Sequence, residues 1–201
     1  MKMYVPFLLA MLAPALPVAF AGDIAIDKPA PNFTLKDVEG KSHSLADFKG
    51  KFVVLEWINF DCPFVGKHYR SGNMQKLQQT YLQKGVVWLS ICSSAPGKQG
   101  HFTAEGIKKR LAEAKATPTA YLIDEDGTTG KLYGAKTTPH MFIIDPKGTL
   151  IYAGGIDDIR STDMADVAKA KNYVAAALDE ALAGKPVTQK VTTPYGCSVK
   201  Y

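Results

Sequence analysis

Three cysteines, Cys62, Cys92 and Cys197, are the residues of this 201-residue chain best suited to covalent chemistry. Cys62 follows the nearly continuous apolar run Phe52 to Ile58, which suits a strand covered on both faces. It precedes Pro63, which suits the first position of a helix because its missing N–H needs no partner there. A thiol at such a strand-to-helix junction meets unpaired backbone N–H groups and the positive end of the helix dipole. Both favour thiolate, the nucleophilic form. Lys67, His68 and Arg70 add positive charge within two turns, and Asp61 opposes it. The competing expectation for Cys62 is a small buried side chain packing like alanine.

Cys197 lies in Tyr195-Gly196-Cys197-Ser198-Val199-Lys200-Tyr201, past the last helical pattern. A flexible segment there could bring it back to resolve a sulfenate or a mixed disulfide on Cys62. A static or an intermolecular disulfide is the alternative. Cys92 closes the run Val86 to Ile91 and reads as a secondary thiol at the same sheet edge or as a packed core thiol. An odd cysteine count leaves one thiol unpaired or in exchange, and three are too few for a disulfide scaffold. The four histidines and the cysteines show no paired ligand spacing. No metal and no bound cofactor is expected.

The elements that must hold these residues follow from periodicity and turn signals. Residues 29–51 alternate apolar and polar around Glu39-Gly40, an N-terminal hairpin. After Pro63, Val65, Tyr69, Leu77 and Tyr81 mark helical spacing, broken at Ser71-Gly72-Asn73, where Asn73 is expected to cap a second segment. A strand over 86–92 and a polar loop holding His101 follow, then a helix capped by Thr103, with Ile107, Leu111 and Ala114 on its apolar face. A strand over 120–123 ends at Asp124-Glu125-Asp126-Gly127. Met141 to Ile144 and Leu150 to Ala153 form a second hairpin around Asp145-Pro146-Lys147-Gly148. Val167, Val174, Leu178 and Leu182 define a final helix that stops at Gly184-Lys185-Pro186. The expected class is α/β, a central mixed sheet flanked by helices with one core.

Composition supports a folded chain: 46% hydrophobic, 21% charged and 10% aromatic residues can bury a core. The +5 charge is scattered, and its longest cluster, Lys108-Lys109-Arg110, reads as a solvated helix face, so nucleic acid is not an expected partner. Residues 1–21 read as a secretory signal: Lys2, an apolar stretch from Phe7 to Leu16, and Ala19-Phe20-Ala21 as the cleavage site before Gly22. Pro6, Pro14 and Pro17 interrupt the stretch, which argues against a retained spanning helix. The expected product is exported, periplasmic or secreted, without stable membrane insertion, as a domain over 22–186 and a tail over 187–201 carrying Cys197.

Three features together resemble the thioredoxin fold in its redoxin branch, which includes peroxiredoxins and periplasmic thiol oxidoreductases. They are Ala30-Pro31-Asn32-Phe33-Thr34-Leu35 with Gly50-Lys51 before a strand, a cysteine at the strand-to-helix junction, and Thr138-Pro139 before the strand ending Ile143-Ile144-Asp145. The resemblance spans about Pro29 to Ala183. It implies that Pro139 is cis and faces Cys62, that Thr138 and Pro139 present a backbone edge to a bound chain, and that His140 lies beside the site or is a satisfied strand residue. Thioredoxin-type oxidoreductases carry Cys-x-x-Cys, and here Val65 stands at the second position. Peroxiredoxins carry Pro-x-x-x-Thr-x-x-Cys, and counting back from Cys62 the Pro and Thr positions hold Leu55 and Asn59. The chain is therefore similar to the peroxiredoxin-like redoxins that keep only the first cysteine. The resemblance implies thiol–disulfide chemistry at Cys62 on a protein or small-molecule disulfide, with Cys197 or an external reductant resolving. A thiol peroxidase, with Asn59 as a substitute hydrogen-bonding group, and a non-catalytic redox-responsive binding protein are the alternatives.

Overall fold

The computed structural model describes residues 24–201. The signal-peptide reading of 1–21 lies outside them. Seven strands form one mixed sheet: β1 (Thr34–Asp37), β2 (Ser42–Ser44), β3 (Val53–Trp57), β4 (Val87–Cys92), β5 (Ala120–Ile123), β7 (His140–Ile144) and β8 (Leu150–Gly154). Their spatial order is β2-β1-β5-β4-β3-β7-β8. Strands β3, β4 and β5 are parallel, and every other neighbouring pair is antiparallel. A second, two-stranded ladder joins β6 (Thr137–Thr138) to β9 (Cys197–Ser198).

The central strands are buried on both faces, as their apolar runs require. Val54 of β3 and Ile58 just beyond it pack with Trp88, Met141 and Ile143 beneath the helices α1 (Pro63–Arg70), α2 (Asn73–Gln83) and α5 (Tyr173–Leu182). Val53, Leu55 and Trp57 face the other way, onto Phe33, Tyr133 and Phe142. Both expected hairpins form, with Gly40 and Gly148 at positive φ in their turns. The Thr103 side chain caps α3 (Ala104–Glu113) by accepting from the Gly106 N–H.

Four local readings change. The cap of α2 is Gly72 at φ 78°, a left-handed position that favours glycine, and Asn73 is the first helical residue. Its amide is instead 2.8 Å from His68 Nδ1. Val167 belongs to a separate 3-10 turn, Met164–Ala168, and the final helix starts at Tyr173 behind an Asn172 cap. A short helix, α4 (Thr128–Leu132), follows the turn at 124–127.

The fourth change concerns residues 187–201, which are packed along the domain rather than free. Residues 190–192 run beside β8 through Ala153 N to Lys190 O (3.0 Å) and Thr192 N to Ala153 O (3.2 Å). Tyr195 is buried, and β9 pairs with β6. The Tyr201 hydroxyl donates to Ala135 O at 2.8 Å. No helix among the described residues is long and apolar enough to cross a membrane.

Candidate active site

Cys62 is the N-cap of α1, with φ −82° and ψ 123°, and Pro63 occupies the first helical turn. The chain reaches this point through a tight loop after β3, in which Cys62 N donates to Asn59 O at 3.0 Å. Asn59 is buried and committed to that loop. Its Oδ1 accepts from Asp61 N (2.9 Å) and its Nδ2 donates to Gln99 O (3.2 Å). Both ends of the amide are therefore spent on backbone groups.

Cys62 is 1% exposed, and its sulfur donates to the Thr138 carbonyl at 3.1 Å. Thr138 is in turn the ladder partner of Cys197. One backbone residue thus brings together the junction thiol and the C-terminal thiol, and both are free cysteines. The Thr138–Pro139 peptide is cis, as the resemblance implies.

Burial pushes the Cys62 thiol up, but the nearby Cys197 thiol, Thr138 hydroxyl and Val65 N–H outweigh it and leave the pKa below the usual cysteine value. Val65 is the third residue of α1, so its N–H is one of the donors that a helix N-terminus leaves open. The Thr138 hydroxyl is buried and makes no hydrogen bond in this arrangement. Cys197 moves the opposite way, up to about 11, through burial and the proximity of Cys62. The two shifts run in opposite directions, Cys62 toward easier and Cys197 toward harder deprotonation.

His140 does not join this pair. Its Nδ1 accepts from Lys136 N at 3.3 Å and its ring packs on Phe142, on the sheet face opposite α1. Burial lowers its pKa to about 4, so the imidazole is neutral. Cys92 is engaged elsewhere, with its sulfur 3.4 Å from Gly100 O and 3.5 Å from Ser94 Oγ. His101 pairs with Glu125 on the loop.

Lys67 and His68 are turned away from Cys62 into a fully buried cluster. Lys67 Nζ donates to Ile159 O (2.8 Å) and Asp157 Oδ2 (3.3 Å), and lies 3.5 Å from the Tyr195 hydroxyl. Tyr195 donates to Asp157, and His68 Nε2 lies 3.3 Å from the Tyr195 oxygen. Burial holds His68 down to about 4. This cluster fastens α1 to the segment two residues before Cys197. Asp157 and Tyr195 escaped sequence reasoning, and only the buried lysine that needs an anion connects them.

Glu56 is the other residue missed. It is fully buried on β3 beneath α1 and accepts from Trp88 Nε1 (2.8 Å), Ser90 Oγ (2.9 Å) and Tyr69 OH (3.0 Å). Burial raises its pKa against those three donors. Its signal in the sequence was the one carboxylate inside an apolar run. A groove of about 760 Å³ between α1 and α3, lined by Phe60, Gly66, Arg70 and Lys115 among others, includes neither cysteine of the pair. Among the described residues, no group of three or more His, Cys, Asp or Glu side chains is placed to hold a metal ion.

Comparison with known proteins gives a consistent picture. A family model described as the AhpC/TSA family matches residues 26–153. The thiol-disulfide oxidoreductase ResA of Bacillus thuringiensis (strain Al Hakam) is 31% identical over 115 residues, which are 51% of this chain. The match covers 65% of that relative's length. Among solved structures, an uncharacterized conserved protein from Geobacillus kaustophilus is 30% identical with a TM-score of 0.75, covering 89% of this chain and 93% of that one. The thioredoxin domain of a thiol-disulfide oxidoreductase from Bacteroides vulgatus, 22% identical, has a TM-score of 0.52 over 73% of this chain and 97% of that one, and shares the fold.

Proposed function

We propose, from the premise that this chain belongs to the AhpC/TSA family and has a thioredoxin-like fold, that it is an exported thiol–disulfide oxidoreductase whose redox pair is Cys62 and Cys197. The observation that carries this reading is the shared residue Thr138, which accepts from the Cys62 thiol while pairing with Cys197. The opposite pKa shifts of the two thiols support the division of labour. Cys62 thiolate attacks a substrate disulfide, forming a mixed disulfide and releasing one substrate thiolate, which takes a proton. Cys197, once deprotonated, attacks the Cys62 sulfur and releases the second substrate thiol. The substrate gains two electrons and the pair is left as a disulfide, which an external dithiol reduces. Export rests on the signal-like residues 1–21, with cleavage after Ala21.

Peroxide is the weaker substrate. The position of the peroxiredoxin threonine holds Asn59, and both ends of its amide are occupied by backbone partners, so no hydroxyl is offered there to an incoming peroxide. Two measurements on one preparation decide between these chemistries: dithiol-driven turnover of a protein disulfide, and stopped-flow loss of Cys62 thiolate with hydrogen peroxide. The expected result is repeated disulfide turnover that Cys62→Ser abolishes, with slow reaction toward peroxide. Fast peroxide consumption without disulfide turnover would move the chain to the peroxidases, and stable mixed disulfides without turnover would make it a binding protein.

A further inference from the structure

The C-terminal strand lies where an incoming chain would have to lie. Cys62 is 1% exposed, and β9 covers it by pairing with Thr137 and Thr138. At that exposure Cys62 is closed to a disulfide of another molecule in this arrangement. Segments on the two sides of Gly196 differ in how firmly they are held. Before it, Tyr195 is buried in the cluster of Lys67, His68 and Asp157. After it, residues 197–201 are half-buried or exposed. Apart from the short ladder, a few hydrogen bonds hold them: Val199 N to Lys136 O (3.1 Å), Ala95 N to Lys200 O (2.8 Å) and the Tyr201 hydroxyl to Ala135 O. The Tyr201 ring rests over Gly127 and Gly130. Gly196 itself sits at φ 144°, a conformation that side chains disfavour, and a Cβ there would run into the Thr138 carbonyl oxygen.

The resemblance already implies that Thr138 presents a backbone edge to a bound chain; we propose that this edge is occupied alternately by the chain's own C-terminal strand and by an extended substrate segment, and that the substrate is selected for glycine immediately before its cysteine. This inference rests on the oxidoreductase reading and names the substrate class of the same site. The strand 196–201 opens about Gly196, and an extended chain adds to the edge in the same register, as in strand addition to an open sheet edge. Its cysteine takes the place of Cys197, so its preceding residue meets the Thr138 carbonyl as Gly196 does. Cys62 thiolate then attacks that cysteine's disulfide: the bond between the two sulfurs forms, the substrate disulfide breaks, and the leaving thiolate is protonated. When β9 re-pairs, it displaces the bound chain and delivers Cys197 to the mixed disulfide, so that product release and resolution occur in one exchange.

The test uses the full chain as Cys197→Ser, reduced, with two peptides of residues 195–201, one carrying the natural sequence and one Gly196→Ala, each as its mixed disulfide with thionitrobenzoate. Attack by Cys62 links it to the peptide and expels coloured thionitrobenzoate. The natural peptide is expected to react about tenfold faster or more, because overpacking against a fixed backbone atom is costly. Adding Tyr201→Ala to the protein should speed the natural peptide by weakening its competitor. Equal rates for the two peptides overturn the selection for glycine, and a rate indifferent to Tyr201→Ala overturns the alternation. If a small aromatic disulfide modifies Cys62 but neither peptide does, the edge takes no polypeptide, while the oxidoreductase reading stands. If the small disulfide also leaves Cys62 untouched in the Tyr201→Ala protein, that reading falls as well.

Discussion

Replacing Asp157 with alanine lowers the unfolding free energy by about 3–5 kcal/mol, the cost of leaving a buried charge without its partner. Among the described residues, Asp157 is the sole carboxylate paired with Lys67, whose side chain is wholly buried, and it also accepts from Tyr195 and from Ile159 N. Without it the ammonium keeps only the Ile159 carbonyl and the Tyr195 oxygen. For a domain of this size the loss corresponds to about 6–20 °C in thermal midpoint. Removing both charges, as Lys67→Met with Asp157→Asn, should recover most of it, since an uncharged pair carries no unpaid desolvation. A double variant as unstable as the summed singles would show that the cluster acts through packing instead. Thermal and urea unfolding of the parent, Asp157→Ala, Lys67→Met, Asp157→Asn and the double variant makes the comparison.

Cys197→Ser is expected to stop catalysis after a single turnover and to accumulate the mixed disulfide on Cys62. Serine keeps a hydroxyl where the Cys197 thiol donates to Cys62, so the first attack survives, but an alcohol cannot displace a thiol from a disulfide. Cys197→Ala separates the two roles. It removes the donor as well as the resolving sulfur, so the Cys62 pKa rises and the first attack also slows near neutral pH. Burst amplitude and the pH dependence of the burst rate read these effects independently. Sustained turnover in either variant would hand resolution to Cys92 or to an external thiol.

Much of this site was legible from local signals. Pro63 after an apolar strand marked the N-terminus of α1 and so the cap position of Cys62. Turn residues marked both hairpins, and Thr138-Pro139 stood before β7 as expected. Two of the errors share a physical cause, namely dependence on distant partners. Residues 187–201 have neither strand nor helix periodicity, and their order comes from Tyr195 meeting Asp157 and Lys67 and from β9 meeting β6. Lys67 and His68 looked like charges for Cys62 because one helix carries all three, yet their side chains leave the helix toward Asp157 and Tyr195. The Asn73 cap failed because Gly72 alone accommodates the left-handed turn between α1 and α2. His140 follows the strand alternation, which sends it to the face away from α1.

Disulfide mapping shows directly whether Cys62 and Cys197 form the redox pair. Reduced protein is treated with one equivalent of a disulfide oxidant, the remaining thiols are blocked, and the digested peptides are weighed by mass spectrometry. A single linkage between the Cys62 and Cys197 peptides is expected, with Cys92 recovered as a blocked thiol. A linkage that includes Cys92, or oxidation that leaves Cys62 and Cys197 unlinked to each other, would contradict it.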